Sequence, residues 1–203
     1  HNFIKNIKNA ESFEVKALVF ILSLGIAHVV GSRAFGFHYF DDFHNIYWNQ
    51  FLDLRQNGFL YIFNNNDKTF TSEYLFYLWF YLVGKLNFIN QPSQLVFLTV
   101  FFLMIFYFNG LIKFSRHYLP SEKRSSFISI VISLSSFGII SQLTRQSISA
   151  YIFMGIIFRI YSYNNKDVFN YSSISFLFHV STLYNFLMLY LTKINFKKII
   201  YII

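Results

Sequence analysis

The sequence contains no cysteine, only two prolines and few charged residues. Without cysteine, the 203-residue chain can form neither disulfides nor thiolate metal sites. Charged residues make up 13% of the chain, about half of the roughly 25% that soluble domains carry. The phosphate-binding patterns GxGxxG and GxxxxGKS/T and the nucleophile pattern GxSxG are also absent. The sequence therefore gives no support for a nucleotide-binding fold or a serine hydrolase.

Hydrophobic residues, by contrast, make up 55% of the chain and aromatic residues 23%. The formal charge is +8, which in a soluble protein would point to a nucleic-acid partner. Here Lys and Arg lie in short clusters between apolar runs, the pattern that sets the topology of membrane proteins. We therefore predict an integral membrane protein whose surroundings are the lipid bilayer and which binds no nucleic acid.

The apolar runs predict the fold class. A spanning helix needs about 20 predominantly apolar residues. Five candidate spans stand out, at 15–32, 95–114, 126–143, 147–163 and 172–191. A sixth apolar run, 73–90, is weaker. The predicted class is all-α, a polytopic transmembrane helix bundle in which residues 1–203 form a single integral membrane domain. Because residue 1 is not Met and the last residues resemble the start of another helix, we expect a fragment of a longer polytopic protein.

A long polar segment, 33–72, follows the first span. Within it, the stretch FDDFHNIYWNQFLDLRQNGFLYIF has apolar residues at mixed helical spacing, which predicts an amphipathic helix lying along the membrane surface. Lys5, Lys8 and Lys16 precede the first span and favour a cytoplasmic start. The bundle is therefore predicted to carry a long external loop with an interfacial amphipathic helix.

A second basic cluster lies in the loop 113–124 and is also predicted to be cytoplasmic. Its members are Lys113, Arg116, Lys123 and Arg124. A cytoplasmic start of the first span and a cytoplasmic loop 113–124 are compatible if 73–90 does not cross the membrane alone. That run would then enter the membrane and return, or lie in the interface. The span 126–143 then runs outward, and Arg145 lies at the external face.

Three polar residues at or within the later spans are candidates for chemistry or anchoring. Arg145 opens a span beside Gln146; a helix-end Arg can simply extend to the headgroups, but polar neighbours are not needed for that. Arg159, near the other end of the span, is predicted to extend to the cytoplasmic face. His179 lies mid-span in a stripe of Ser and Thr, either as part of an interhelical hydrogen-bond seam or as a proton acceptor.

The external segment holds Asp41 and Asp42 with His38, His44 and Tyr47 interleaved. Acids beside histidines are possible metal ligands, but neither HExxH nor HxxxH spacing occurs. The DxD pattern of nucleotide-sugar enzymes is missing as well. We therefore predict no metal site.

Four short motifs occur in a definite order over about residues 15–192. They are Arg33, Gly36, Asp42 and Tyr47; Glu73 at the start of EYLFYLWFYLVGKL; Arg145-Gln146 in LTRQSISAYIF; and Phe178-His179-Val180-Ser181. In this order they resemble the EpsG/Wzy-like family of bacterial membrane polysaccharide polymerases, which make O-antigen, capsule and exopolysaccharide. The chain departs from the family pattern in its doubled acid, Asp41-Asp42, and in the distance between Gly36 and Asp42.

The resemblance implies a membrane glycosyltransferase. Such an enzyme joins oligosaccharide repeat units carried on undecaprenyl diphosphate, at the outer face of the bacterial cytoplasmic membrane. It implies no cofactor, nucleotide or metal, and a chain-length regulator protein is an expected partner. The catalytic residues it implies are Arg33, Asp42, Arg145 and His179. The substrate-binding residues it implies are Asp41, Tyr47, Glu73 and Gln146.

Two other functions fit parts of the sequence. A transporter or flippase for the same lipid-linked glycan would also bind diphosphate through arginines, but it needs access from both faces. The charged residues gather at one face of the predicted bundle, which favours the enzyme. A membrane acyltransferase would need a His–acid pair near a cytoplasmic entry, and His117 in the basic loop has no acid at a useful spacing.

The basic loop gives a test of orientation. Because the chain has no cysteine, His117→Cys introduces a single thiol, and Asn65→Cys supplies a control thiol in the predicted external segment. We expect a membrane-impermeant maleimide to label position 65 in intact cells and position 117 only after permeabilisation, since positively charged loops stay cytoplasmic. Efficient labelling of position 117 in intact cells would contradict the predicted topology.

Overall fold

Helices make up most of the described part of the chain. The structure is a computed structural model that describes residues 2–34, 46–64, 74–134 and 145–162, with side chains within 13–32, 46–63, 74–133 and 147–159. These residues contain seven α-helices and no strand, which confirms the all-α class for this part of the chain. In chain order the helices are α1 (Asn2–Ala34), α2 (Trp48–Asn57), α3 (Tyr61–Asn64), α4 (Tyr74–Gly84), α5 (Pro92–Tyr118), α6 (Ser121–Leu134) and α7 (Arg145–Ser162).

Two described helices are long and apolar enough to span a membrane. They are α1, over Phe13–Ser32, and α5, over Pro92–Tyr118, and they contain the predicted spans 15–32 and 95–114. Helix α7 follows the predicted span 147–163 as far as Ser162, with a shorter apolar core. Helix α6 covers the first part of the predicted span 126–143. The remainder of that span, and the predicted span 172–191, lie outside the described residues.

Helix α5 has a sharply defined beginning. Gln91 precedes it in an extended conformation, and Pro92 occupies the first helical position, where its missing N–H removes no helical hydrogen bond. The Gln94 side-chain oxygen accepts hydrogen bonds from the backbone N–H groups of Asn90 (2.7 Å) and Gln91 (3.1 Å). These bonds satisfy backbone donors just before the helix and set the direction in which the chain enters it.

The end of α5 is tied to the start of α6. Leu119 is extended, as is usual for a residue before proline, here Pro120. The Arg124 guanidinium donates from Nε to the Leu119 carbonyl at 2.9 Å and from a terminal nitrogen to the Arg116 carbonyl at 3.2 Å. A cation on the last carbonyls of a helix also complements the negative end of its dipole.

Helix α1 packs antiparallel to α5. Gly31, near the end of α1, faces Ser93 and Phe97 at the start of α5. Farther back in α1, the Phe20 ring meets the Phe101 ring edge-on at 5.4 Å. The residues of α1 buried along this contact recur at helical spacing, which makes one face of the helix. They are Val19, Ser23, Ala27 and Val30.

Helix α7 packs parallel to α5. Tyr107 meets Tyr151 at 5.1 Å and Phe114 meets Phe158 at 5.3 Å. Between these ring pairs, Gly110 lies directly against the backbone of Gly155. All three pairs are offset by 44 or 45 residues, so residue numbers rise together along the two helices. Helix α7 therefore begins beside the half of α5 from which α5 itself starts.

The predicted amphipathic helix is present as α2, but it covers protein. One face is buried and recurs at helical spacing; its members are Gln50, Phe51 and Leu54, and the buried Tyr47 precedes them at the N-cap. This face packs on α4, where Phe51 meets Phe80 edge-on at 6.0 Å. The helix ends at Gly58, whose φ of 84° places it in the left-handed region that glycine tolerates. The expected amphipathicity is confirmed, while its position along a membrane surface stays a prediction.

Helix α4 occupies part of the weaker apolar run 73–90. Its 11 residues rise about 16 Å at 1.5 Å per residue, roughly half of the 30 Å hydrocarbon core of a bilayer. The chain then leaves the helix in turns at Lys85–Phe88 before α5 begins. The described part of α4 is therefore shorter than a membrane span, and the prediction that 73–90 does not cross the membrane alone stays a prediction.

The contact between α5 and α7 gives a test of the packing. A Cβ at Gly110 would lie 2.7 Å from the Gly155 carbonyl oxygen, a backbone atom that cannot rotate away. We expect Gly110→Ala to lower the free energy of unfolding by about 1–3 kcal/mol, the usual cost of overpacking. The measurement is thermal unfolding of the purified chain, followed by its helical circular dichroism.

Gly25→Ala is the matched control, because a Cβ there has no heavy atom within 4 Å. Alanine favours helix over glycine by up to about 1 kcal/mol, so this variant should be as stable as the original chain or slightly more stable. Equal stability of the Gly110 and Gly25 variants would contradict the close packing of α5 on α7.

Candidate functional site

The predicted site residues are unevenly described. Four of them, Asp41, Asp42, Glu73 and His179, lie outside the described residues. Arg33, Arg145 and Gln146 have a described helical backbone, but their side chains lie outside the description. Tyr47 is described in full. For the two arginines, the structure therefore shows where the backbone lies along the bundle.

The backbones of Arg33 and Arg145 lie at the same end of α5. Arg33 is two residues beyond Gly31, which faces Ser93 and Phe97, so the antiparallel packing puts it near the level of residue 93. Arg145 begins α7, and the offset of about 45 residues puts it near the level of residue 100. At 1.5 Å per residue, the two levels differ by about 10 Å along the axis of α5.

A cavity opens at this end, between α1 and α5. It has a volume of about 550 Å³ and carries imidazole, hydroxyl and amide groups beside two phenyl rings. Its lining residues are His28, Gly31, Ser32, Phe88, Ser93, Gln94, Phe97 and Leu98. Hydrogen-bonding groups next to apolar faces are the usual composition of a small-molecule site, and they match the hydroxyls and C–H faces of a sugar.

Two polar groups of this cavity are held by local hydrogen bonds. Ser32 donates its hydroxyl to the Val29 carbonyl at 2.9 Å, and the Gln94 oxygen is held by the chain entering α5. Sequence reasoning missed this cavity. His28 lies five residues before Arg33 in the same helix, and Gln94 follows the N-cap residue Gln91 by three positions. Those spacings were the available signal, but neither indicates that the two residues share a cavity.

A second, apolar groove lies between α4, α5 and α7. Its volume is about 410 Å³. The lining residues are Phe76, Trp79, Thr99, Phe102, Leu103, Phe106, Ile148, Ile152 and Ile156. The hydroxyl oxygen of Thr99 accepts a hydrogen bond from the Trp79 indole N–H at 2.9 Å. The wall of the groove is therefore almost entirely hydrocarbon.

Tyr47 lies in the hydrophobic core. Its side chain is only 7% exposed, and its ring meets the Phe76 ring at 5.5 Å. This is the environment of a residue that holds α2 onto α4. Its expected contact with substrate stays a prediction.

Two other arginines have structural partners. The Arg55 guanidinium donates to the Ile89 carbonyl at 2.6 Å and so ties α2 to the turn before α5. The Arg159 guanidinium lies over the face of the Phe106 ring, 4.3 Å from its centre, a geometry that favours a cation. The predicted extension of Arg159 to the membrane surface stays a prediction. Sequence reasoning assigned no role to Arg55, because its partner lies 34 residues away.

Comparison with known proteins gives no relative. No protein-family model matches the chain, and no curated protein or solved structure is significantly similar to it. Among the described residues, no group of three or more His, Asp or Glu side chains could hold a metal ion. The resemblance to a polymerase family therefore remains an expectation from the four motifs.

The placement of the two arginines can be measured directly. In this cysteine-free chain, spin labels at Arg33→Cys and Arg145→Cys report the distance between the two helix ends. The control pair is Arg33→Cys with Ser162→Cys, since α7 runs about 25 Å from residue 145 to residue 162. We expect the 33–145 distance to be roughly 20 Å shorter than the 33–162 distance, allowing for the lateral separation of the helices. A 33–145 distance equal to or longer than the control would show that α7 does not run parallel to α5.

Proposed function

We propose that the chain is a membrane-embedded glycosyltransferase that extends a polysaccharide from repeat units linked to undecaprenyl diphosphate. The observation that carries the proposal is the placement of Arg33 and Arg145 toward the same end of α5, although their helices run in opposite directions on it. A lipid diphosphate carries its charge at the headgroup level. Two arginines near one end of a span are suited to that position.

The chemistry needs these cations. The acceptor hydroxyl attacks the anomeric carbon of the donor sugar, the bond from that carbon to the diphosphate oxygen breaks, and the diphosphate leaves with the electron pair. Negative charge therefore grows on the leaving group in the transition state. The guanidinium fork pairs with phosphate oxygens in a bidentate way. Loss of one preorganised donor of this kind typically costs 10²- to 10³-fold in rate.

The acceptor hydroxyl also loses its proton, and the chain offers two groups to take it. In this proposal Asp42 or His179 accepts the proton, while Asp41, Tyr47, Glu73 and Gln146 bind the sugars. The cavity between α1 and α5 would hold part of the acceptor glycan. The side chains of His28, Ser32 and Gln94 line this cavity and can donate and accept hydrogen bonds.

The proposed location is the outer face of the cytoplasmic membrane, within a polytopic bundle. The basic cluster that sequence analysis assigns to the cytoplasm lies at the opposite end of α5 from Arg33 and Arg145. Lys113, Arg116 and Lys123 are exposed there, at the junction of α5 and α6. The distribution of charge along this helix is what an enzyme with an external site and a cytoplasmic basic loop requires.

The decisive variant is Arg145→Lys, which keeps the positive charge but loses the bidentate fork. In the native host we expect near-complete loss of polymer at normal protein level, with lipid-linked single repeats accumulating on the outer face. Gel analysis of the glycan and extraction of the lipid-linked repeats measure both effects. Accumulation of repeats on the inner face would instead indicate a flippase.

Arg159→Lys is the matched control on the same helix. Its ammonium can stay over the Phe106 ring, so polymer length should remain normal. Wild-type polymer from Arg145→Lys would reduce Arg145 to a headgroup anchor and contradict the proposal.

A further inference from the structure

The groove between α4, α5 and α7 begins beside Arg145. Ile148, Ile152 and Ile156 line it at successive turns of α7, starting three residues after Arg145 and covering about 12 Å of the helix. Across from them, Phe102 and Phe106 belong to the middle of α5. The groove therefore runs from the arginine end of the bundle toward the middle of the longest apolar helix.

The lining selects an occupant without hydrogen-bonding groups. Thr99 supplies the one hydroxyl among the lining residues, and that oxygen accepts from Trp79. Placing a polar group against such walls without a partner is unfavourable, because the group loses its hydrogen bonds to water. Dry apolar cavities of about 150 Å³ bind benzene, and this groove, at about 410 Å³, is large enough for a length of hydrocarbon chain.

We infer that this groove holds the isoprenoid chain of a polyprenyl diphosphate whose head lies at Arg145. The inference rests on the proposed function for the identity of the lipid, and it adds the place where the lipid's tail is bound. An amphiphile with an anionic head and an apolar tail matches a site in which a cation and an apolar groove follow one another along a single helix face.

An isoprenoid chain suits the groove better than the acyl chains of the bilayer. Each isoprene unit contains a double bond, so the chain has fewer rotatable bonds to immobilise on binding than a saturated acyl chain of the same length. Aromatic side chains form much of the groove wall, from Phe76 and Trp79 on α4 to Phe102 and Phe106 on α5. These rings offer broad rigid surfaces to a single methyl-branched chain.

The two tryptophans of the chain form a matched pair of reporters. Trp79 lines the groove, while Trp48 stacks on Phe51 at 5.1 Å in α2 and is not part of the lining. The variant Trp48→Phe leaves Trp79 as the single fluorophore, and Trp79→Phe leaves Trp48. Circular dichroism of both variants checks that their helix content is unchanged.

The experiment titrates each variant, in nanodiscs, with a low molar fraction of polyprenyl phosphate brominated at the isoprene units nearest the phosphate, because the groove is much shorter than a whole polyprenyl chain. Bromine quenches tryptophan on contact. We expect saturable quenching of Trp79 and little quenching of Trp48. Phosphatidylglycerol brominated in its acyl chains, at the same molar fraction, should quench neither appreciably.

A filling variant tests whether the quenching comes from the groove. In the Trp48→Phe background, Ile152→Phe places a larger ring in the groove, and we expect about ten-fold more brominated polyprenyl phosphate to be needed for half-maximal quenching. Met154→Phe, two residues along α7 at an exposed position, should leave the titration unchanged.

Three outcomes would overturn the inference. Equal quenching of Trp79 by the phospholipid would make the groove a general lipid contact. Absence of quenching by either probe would mean that another part of this chain or a second copy fills the groove. Equal effects of Ile152→Phe and Met154→Phe would place the tail elsewhere. The titration involves no glycosyl transfer, so it can succeed where polymerisation fails and can fail where polymerisation succeeds.

Discussion

The close approach of α5 and α7 at Gly110 and Gly155 is the contact on which the arrangement of the site depends. Lipid tails are as apolar as the helix surfaces, so in a bilayer helices associate through close van der Waals packing rather than through burial from water. Two glycines let the backbones meet, and the flanking pairs Tyr107–Tyr151 and Phe114–Phe158 fill the space on either side. This contact fixes the register of α7 and therefore the level at which Arg145 begins it.

Aromatic rings do most of the packing around the shorter helices. Phe76 meets Phe80 at 4.4 Å; the Phe76 ring also contacts Tyr47, the residue before α2, and the Phe80 ring contacts Phe51 in α2. Such pairs contribute about 0.5–1.5 kcal/mol beyond the area they bury. Helices of ten or eleven residues are marginal by themselves, so α2 and α4 depend on these contacts and on the hydrogen bond from Arg55 to the Ile89 carbonyl.

Helix α5 separates two environments of opposite character. The cavity on its α1 side carries His28, Ser32 and Gln94, whereas the groove on its α7 side is lined by hydrocarbon. A lipid-linked glycan has the same division between sugar and tail, joined at a diphosphate. In the proposed enzyme the sugars and the tail would therefore lie on different sides of one helix, with the arginines near the junction.

The sequence by itself determined the helical class, the two helices long and apolar enough to span a membrane, α1 and α5, and the amphipathic face of α2, because each depends on local composition or on a repeat of 3.6 residues. It could not show that Tyr47 is a core residue, that Arg159 lies on Phe106, or that His28 and Gln94 share a cavity. Apolar residues occur on every face of α5, so the periodicity of its sequence does not show which face packs against α1 and which against α7. Only the tertiary structure decided this, because the choice depends on complementary shapes, such as Gly110 against Gly155, between residues far apart in the chain. The placement of Arg33 and Arg145 toward the same end of α5 follows from those contacts.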